Sequence, residues 1–291
     1  MRNKAILILC AIIVLVIGVY FLMVPPPPVT DTNGGKGSDT IAPKMRSKVL
    51  PLNLSIYLDL SDRIKPNGSD ALSQKDKDIA IVDFLANYVK ERAVKQKILP
   101  SKDRIKVFFY PEPADAKVAL LSEKLELDLG TTPMKEKKPK LISFTDEFKN
   151  SLEQIYSSTI QTSSWLGSDI WGFFNKPIDN YCIKDGYRNI LVVLTDGYIY
   201  HASNKQSAGS AHSFILQQTL KDKNSSLIVG RKGLENLEGL MLELNPNPPT
   251  DQQKMEQVIT EWLNNMGIQK HYVGETDVPS NTKMIIEKFL N

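Results

Sequence analysis

Short groups of oxygen-bearing side chains follow two of the most apolar runs in the chain. Asp59 and Ser61 come after the run that ends at Leu58, and Thr195-Asp196-Gly197 follows the run that ends at Leu194. Alternate residues of an extended chain point the same way, so Asp59 and Ser61 can face one point together. In α/β folds, ligands gather where parallel strands end at the carboxyl edge of the sheet. The pattern therefore predicts a ligand site at that edge.

A hard divalent cation is the ligand that these side chains suit. Mg²⁺ prefers oxygen ligands in octahedral geometry and keeps several waters, and Mn²⁺ and Ca²⁺ also accept oxygen ligands. A further oxygen could come from the small-residue turn Gly167-Ser168-Asp169-Ile170, which precedes a predicted helix. Taken singly, each group could equally be a turn or a helix N-cap. Their joint occurrence favours a site, with Asp59, Ser61, Ser168 and Asp196 as the predicted metal ligands, directly or through water.

The order of these motifs resembles the metal-ion-dependent adhesion site of von Willebrand factor A (vWA) domains. The resemblance rests on Asp-x-Ser after an apolar strand, a Gly-Ser-Asp-Ile turn and a strand ending in Thr-Asp-Gly, and it covers roughly residues 50–291. Asp59 and Ser61 match the family's first motif, Ser168 stands where the family usually has Thr, and Asp196 matches the third motif. The resemblance implies a doubly wound, Rossmann-like, mostly parallel sheet. It also implies a bound Mg²⁺ that captures an acidic residue of a partner protein.

Arg63 departs from the family pattern, which has a second Ser at this position of the first motif. A guanidinium cannot ligate a cation and would repel one if it pointed inward. Two alternatives stay open. Either Arg63 turns outward and the ion takes an extra water, or Arg63 lies in the site, pairs with Asp59 or Asp196, and leaves a metal-free scaffold.

Enzymatic alternatives find less support in the sequence. An aspartyl-phosphate phosphatase would need a carboxylate two residues after Asp59, where Ser61 stands. The chain has no Gly-rich phosphate loop and no Gly-x-Ser-x-Gly elbow. His201, His212 and His271 lack metal-ligand spacing, and Cys182 is predicted to be a small buried residue. The sequence therefore favours a binding module over an enzyme.

Alternating apolar runs and amphipathic stretches predict an α/β sheet covered by helices on both faces. The predicted strands are 52–60, 105–110, 189–194, 237–244 and 271–273. The predicted helices are 76–96, 146–159, 169–181, 251–266 with Thr250 as its cap, and 281–290. Residues 118–129 and 139–144 are predicted to form a hairpin-like edge, and the basic run 135–140 to be a solvated loop.

The first part of the chain predicts a membrane anchor and a tether. Residues 5–24 carry no charge, and roughly 20 residues span the hydrocarbon core of a bilayer. No small-x-small cleavage signal follows; four prolines do, so residues 1–24 are predicted to be an uncleaved transmembrane anchor. Arg2 and Lys4 place the N-terminus in the cytoplasm. The rest would then lie on the non-cytoplasmic side, with the periplasmic face of a bacterial inner membrane favoured.

Residues 25–48, rich in Pro, Gly, Ser and Thr, are predicted to be a tether, and residues 49–291 one vWA-like domain. The chain has 36 Lys and Arg against 33 Asp and Glu, a balance that implies no nucleic-acid partner. A protein partner, bound through an acidic residue, is the expectation. The loop 198–213 combines aromatic with small polar residues and is a candidate contact surface.

Overall fold

A computed structural model describes residues 49–66, 68, 72–162, 168–176, 178–199, 224–225, 227–230, 232–246, 249–275 and 278–291. The predicted anchor and tether, and most of the loop 198–213, lie outside these residues and stay predictions. Within the described residues, no helix is both long enough and apolar enough to span a bilayer.

The described strands form one sheet in the order β3-β2-β1-β4-β5-β6. They are β1 Leu52–Leu58, β2 Arg104–Phe108, β3 Glu126–Asp128, β4 Arg188–Leu194, β5 Leu237–Leu242 and β6 His271–Gly274. Only the pairing of β3 with β2 is antiparallel among these strands; the other pairs are parallel. This mostly parallel sheet with flanking helices fits the predicted α/β, vWA-like fold. The order changes direction between β1 and β4, which is where such sheets bind ligands.

The described helices lie between and after the strands along the chain. They are α1 Gln74–Lys95, α2 Ala116–Glu123, α3 Met134–Thr162, α4 Ile170–Asn175, α5 Ile178–Tyr181, α6 Gln252–Asn265 and α7 Pro279–Leu290. Side chains on one face of β1, such as Ile56, pack with α1, α3 and α7. Side chains on the other face, such as Tyr57, pack with α4 and α6. Both faces of the sheet are therefore buried, which explains why most residues of β1 and β4 are apolar.

The predicted hairpin-like edge is wrong. Residues 118–129 contain α2 and the short strand β3, while residues 139–144 lie inside the long helix α3. Pro139 obscured this helix because proline removes a helical hydrogen bond. In the structure Pro139 lies on the exposed side of α3, where the carbonyl left without a partner can face water.

The basic run 135–140 is therefore helical, and the solvated-loop prediction is wrong. Lys137 is buried, and its Nζ donates to the carbonyl oxygens of Leu99 and Ser101, each at 2.8 Å. The charge of Lys137 thus binds the turn after α1 to the start of α3.

Two smaller predictions also need correction. The helix predicted over 169–181 is two short helices, α4 and α5, with Pro177 between them in the sequence. Thr250 is not the cap of α6; it lies in a 3-10 helix, Pro249–Asp251, and Asp251 stands at the N-cap. Cys182 is buried, as predicted.

Lys137→Met should lower the free energy of unfolding by about 1–3 kcal/mol, because it leaves the two carbonyls without their donor in a largely buried position. Lys138→Met is the matched control, since Lys138 is exposed on the same helix turn. Urea denaturation of both variants measures the difference. Equal midpoints would contradict the structural role of Lys137.

Candidate functional site

The carboxyl ends of β1 and β4 lie side by side and bring two of the predicted motifs together. The backbone N–H of Asp59 donates to the Leu194 carbonyl at 3.1 Å. The Thr195 hydroxyl donates to Asp59 Oδ2 at 2.8 Å, and both side chains are buried. Thr195 thereby fixes the orientation of the Asp59 carboxylate.

Each strand end turns sharply after its aspartate. The Ser61 N–H donates to Asp59 Oδ1 at 2.8 Å, and a 3-10 helix follows over Asp62–Ile64. After β4, the Tyr198 N–H donates to Asp196 Oδ1 at 3.3 Å. Gly197 adopts φ of 98°, and a Cβ there would lie 2.3 Å from Met255 Sδ, so the turn requires glycine. Asp59, Ser61 and Asp196 therefore share one edge, as predicted.

The second motif, the turn that contains Ser168 and Asp169, reaches the same edge through Tyr57. The Tyr57 hydroxyl donates to the Tyr110 carbonyl at 2.9 Å and lies 2.9 Å from Ser168 Oγ. The Asp169 N–H also donates to the Tyr110 carbonyl, at 3.0 Å, and the Asp169 side chain caps α4. Ser168 is thus held beside the end of β2, with its hydroxyl bonded to Tyr57 instead of Asp59 or Asp196.

Arg63 points inward, and its side chain is only 5% exposed. Its Nε donates to the Asp59 carbonyl at 3.0 Å, and Nη2 donates to the Leu194 carbonyl at 3.1 Å. Nη2 also donates to Asp78 Oδ2 at 2.7 Å, while Nε lies 4.0 Å from Asp59 Oδ2. Of the two alternatives for Arg63, the structure has the inward one, but the short ion pair is with Asp78.

A buried polar network surrounds the guanidinium. Asp78, on α1, accepts hydrogen bonds from Gln74 at 2.9 Å and from the Tyr156 hydroxyl of α3. Glu243, directly after β5, has Oε2 at 3.7 Å from Arg63 Nη1 and accepts a hydrogen bond from Gln74. Residues from α1, α3 and the turn after β5 therefore surround the guanidinium, which also bonds to the carboxyl ends of β1 and β4.

The carboxyl group of Asp196 is unusually hard to ionise. Burial and the nearby Asp59 carboxylate raise the pKa of Asp196 to about 7, and Arg63 only partly offsets them. Two carboxyl groups this close repel each other when both are ionised. Repulsion between the Asp59 and Asp196 carboxyl groups is therefore a property of this edge of the sheet, whichever ligand the edge binds.

The network raises the pKa of both Glu243 and Arg63, which favours a neutral Glu243 and a charged Arg63. Burial and the Asp78 carboxylate raise the pKa of Glu243 to about 8, so this side chain is mostly protonated at neutral pH. Burial alone would lower the pKa of Arg63, but the carboxylates of Asp78 and Asp59 outweigh it and raise the pKa above its ordinary value. Arg63 is thus the permanent positive charge of this network.

The residues present do not fit a directly bound dication while Arg63 is in place. An ion ligated by Asp59 Oδ2 at about 2.1 Å would lie within about 6 Å of the guanidinium, with a repulsion of at least about 5 kcal/mol at an effective dielectric constant near 20. In the described part of the chain, this edge included, no three carboxylate, imidazole or thiol groups converge on a point that could hold a metal ion.

Sequence reasoning missed Asp78 and Glu243. Asp78 falls at helical spacing with Ile81, Val82 and Leu85, and a carboxylate on such an apolar face was the available signal. Glu243 directly follows β5, so the rule that selected Asp59 and Asp196 could have found it. The predicted strand ran on to residue 244 and placed Glu243 inside it.

Comparisons with known proteins identify no family for this chain. No protein-family model matches the chain, and no curated protein matches it in sequence. Two similar solved structures are an aerotolerance-related membrane protein from Bacteroides fragilis NCTC 9343 with multiple mutations to serines, and the conserved hypothetical protein BatB from Bacteroides thetaiotaomicron. Each is 14% identical with a TM-score of 0.42; they cover 82% of this chain and 98% and 97% of their own.

Proximal thread matrix protein 1 from the mussel byssus is also similar, at 10% identity and a TM-score of 0.38, covering 83% of this chain and 48% of that one. Similarity at these levels shows neither a family nor a function. The fold class of this chain rests on its own strand order and strand directions.

Glu243→Gln should flatten the pH dependence of stability. The raised pKa means that, between its ordinary value and about 8, the folded state binds a proton that the unfolded state has lost, so stability falls as pH rises through this window. Glutamine copies the protonated form, and the fall of the melting temperature between about pH 5 and pH 8 should become shallower.

Glu147→Gln is the control for this measurement, because Glu147 is exposed on α3. Melting temperatures are measured by circular dichroism at each pH for both variants and the unchanged chain. A Glu243→Gln profile parallel to that of the unchanged chain would show that Glu243 holds no extra proton in the folded state.

Proposed function

We propose that residues 49–291 form a vWA-like binding module that docks a partner protein without a divalent cation, with Arg63 taking the place of the ion. The module is non-enzymatic in this proposal. The motifs support a binding role because they place hydroxyl and carboxylate groups at the switch point of the sheet, where folds of this kind bind ligands.

One observation carries the metal-free form of this proposal: the buried guanidinium of Arg63 is bonded to the carboxyl ends of β1 and β4. It donates to the carbonyl oxygens of Asp59 and Leu194 and pairs with Asp78 at 2.7 Å. A metal ion would hold the same strand ends through oxygen ligands. The guanidinium supplies positive charge there and offers no open coordination position.

The second candidate function is cation-dependent capture of an acidic residue, as the vWA resemblance implies. It is favoured by Asp59, Ser61 and Asp196 sharing one edge. It requires Arg63 to leave its present position, because a guanidinium this close opposes a dication. The two candidates differ in one measurable property, their response to divalent cations.

The full-length chain, purified in detergent, should show the same melting temperature with EDTA and with about 10 mM Mg²⁺ or Mn²⁺. A ligand that binds only the folded state must raise stability by mass action, so a site of millimolar affinity would produce a measurable rise. Asp196→Ala is the control for site-specific binding. A rise that Asp196→Ala abolishes would overturn the metal-free proposal and favour the second candidate.

The module would be held at a membrane by residues 5–24 and spaced from it by residues 25–48. The uncharged apolar run and the prolines after it support this part of the proposal. Arg2 and Lys4 favour the non-cytoplasmic side for the module, and the periplasmic face of a bacterial inner membrane is the proposed location.

Deletion of residues 5–24 should move the expressed chain from the membrane fraction to the soluble fraction, because the remaining residues offer no apolar run of spanning length. Fractionation followed by alkaline carbonate extraction makes the measurement. Carbonate-resistant membrane association of the deleted chain would contradict the proposed anchor.

A further inference from the structure

Packing in the core does not explain why residues Asp78 and Glu243 carry carboxyl groups. Asp78 lies on the core-facing side of α1 with its side chain wholly buried, among residues such as Ile81 and Val82. Glu243 follows β5 with its side chain 4% exposed. Buried carboxyl groups are unfavourable unless they are paired or hydrogen-bonded, so their partners indicate their purpose.

The hydrogen-bond partners of Asp78 are Arg63 itself and two side chains that lie around the Arg63 guanidinium. Its carboxylate accepts from Arg63 Nη2 at 2.7 Å, from Gln74 at 2.9 Å and from the Tyr156 hydroxyl. Gln74 lies on α1, one turn before Asp78, and Tyr156 lies on α3. Both side chains hold the Asp78 carboxylate in position. The carboxylate in turn fixes the Nη2 end of Arg63.

Glu243 approaches the other end of the same guanidinium, with Oε2 at 3.7 Å from Nη1. Its backbone has φ of 69°, a left-handed conformation that residues with a Cβ rarely adopt. This turn directs the side chain back over the sheet edge toward Gln74 and Arg63. The left-handed conformation of Glu243 therefore directs its carboxyl group to a position that a straight continuation of β5 would not reach.

We infer that Asp78 and Glu243 are positioning residues that hold the Arg63 guanidinium over the sheet edge and thereby exclude a divalent cation from Asp59, Ser61 and Asp196. The inference rests on the proposed metal-free function and gives its structural cause. Without the two carboxyl groups, Arg63 retains only the backbone carbonyls of Asp59 and Leu194 among its described hydrogen-bond partners.

A released Arg63 has a short path to water. It lies in the 3-10 helix Asp62–Ile64, where the neighbouring Asp62 is exposed. The long, flexible arginine side chain favours hydration of its charged end when no buried partner holds it. Movement outward would leave Asp59, Ser61 and Asp196 facing an edge without the opposing charge.

Mn²⁺ binding to the full-length chain in detergent tests the inference, measured by electron paramagnetic resonance of free Mn²⁺. The variants are Arg63→Ser, Asp78→Asn with Glu243→Gln, and each of these two single changes. Asp146→Asn with Glu147→Gln is the matched control, because it makes the same chemical changes at exposed positions of α3. Circular dichroism confirms that each variant is folded.

We expect no Mn²⁺ binding by the unchanged chain or the control at millimolar concentration. Arg63→Ser and the Asp78→Asn, Glu243→Gln double variant should both bind, with dissociation constants at least about tenfold below the millimolar concentration at which the control shows no binding. Asp196→Ala added to either variant should abolish binding. If the double variant does not fold, the single Asp78→Asn change, which removes the 2.7 Å ion pair of Arg63, should still bind Mn²⁺, whereas Asp146→Asn should not.

The possible outcomes distinguish the proposed metal-free function from the positioning role of Asp78 and Glu243. Binding by the unchanged chain as tight as by Arg63→Ser would overturn the proposed function itself. Binding by Arg63→Ser, with the folded Asp78 and Glu243 variants no better than their control, would overturn only the positioning role. Absence of binding by Arg63→Ser would show that Arg63 is not what excludes the ion, and would also overturn the inference.

Discussion

The buried guanidinium of Arg63 is the constraint on which the carboxyl edge of the sheet depends. A buried charge must be paired and hydrogen-bonded, and removing one partner of such a group is strongly unfavourable. Arg63 meets this requirement through Asp78 and through the last carbonyls of β1 and β4. The positions of α1, β1, β4 and the turn after β5 are therefore mutually dependent, because each contributes a group that surrounds the same charge.

The balance of charge at this edge follows from that arrangement. One permanent positive charge stands among the carboxyl groups of Asp59, Asp78, Asp196 and Glu243. The raised pKa values of Asp196, about 7, and Glu243, about 8, mean that protons neutralise part of this excess near neutral pH. The negative charge at this edge is thus balanced by the Arg63 guanidinium and by protons on carboxyl groups, whereas a metal-dependent site would balance it with a dication.

The sequence predicted the parts of this arrangement that depend on local pattern. Apolar runs located β1 and β4, and the oxygen-bearing residues after them identified Asp59, Ser61 and Asp196 as neighbours. Local pattern gives a signal for Asp78 and Glu243, one a carboxylate on an apolar helix face and the other a carboxylate at a strand end, but it does not identify Arg63 as their common partner. The predictions of a loop over 135–140 and an edge strand over 139–144 are wrong for a related reason: Pro139 and the lysines disfavour a helix locally, while the packing of Leu141 and Phe144 against the core stabilises one.

An arginine in place of an ion changes what the edge can recognise. A metal ion with an open coordination position can accept a carboxylate from a partner, and its occupancy depends on the surrounding concentration. A guanidinium is part of the chain, is always charged, and has its donors directed at protein oxygens. In the proposed metal-free form, the partner therefore contacts the side chains around the edge and not an ion at the edge itself. The acidic partner residue implied by the vWA resemblance is then no longer required. Specificity would then depend on the shape and polarity of the surface over β1 and β4, which Arg63 holds in one arrangement.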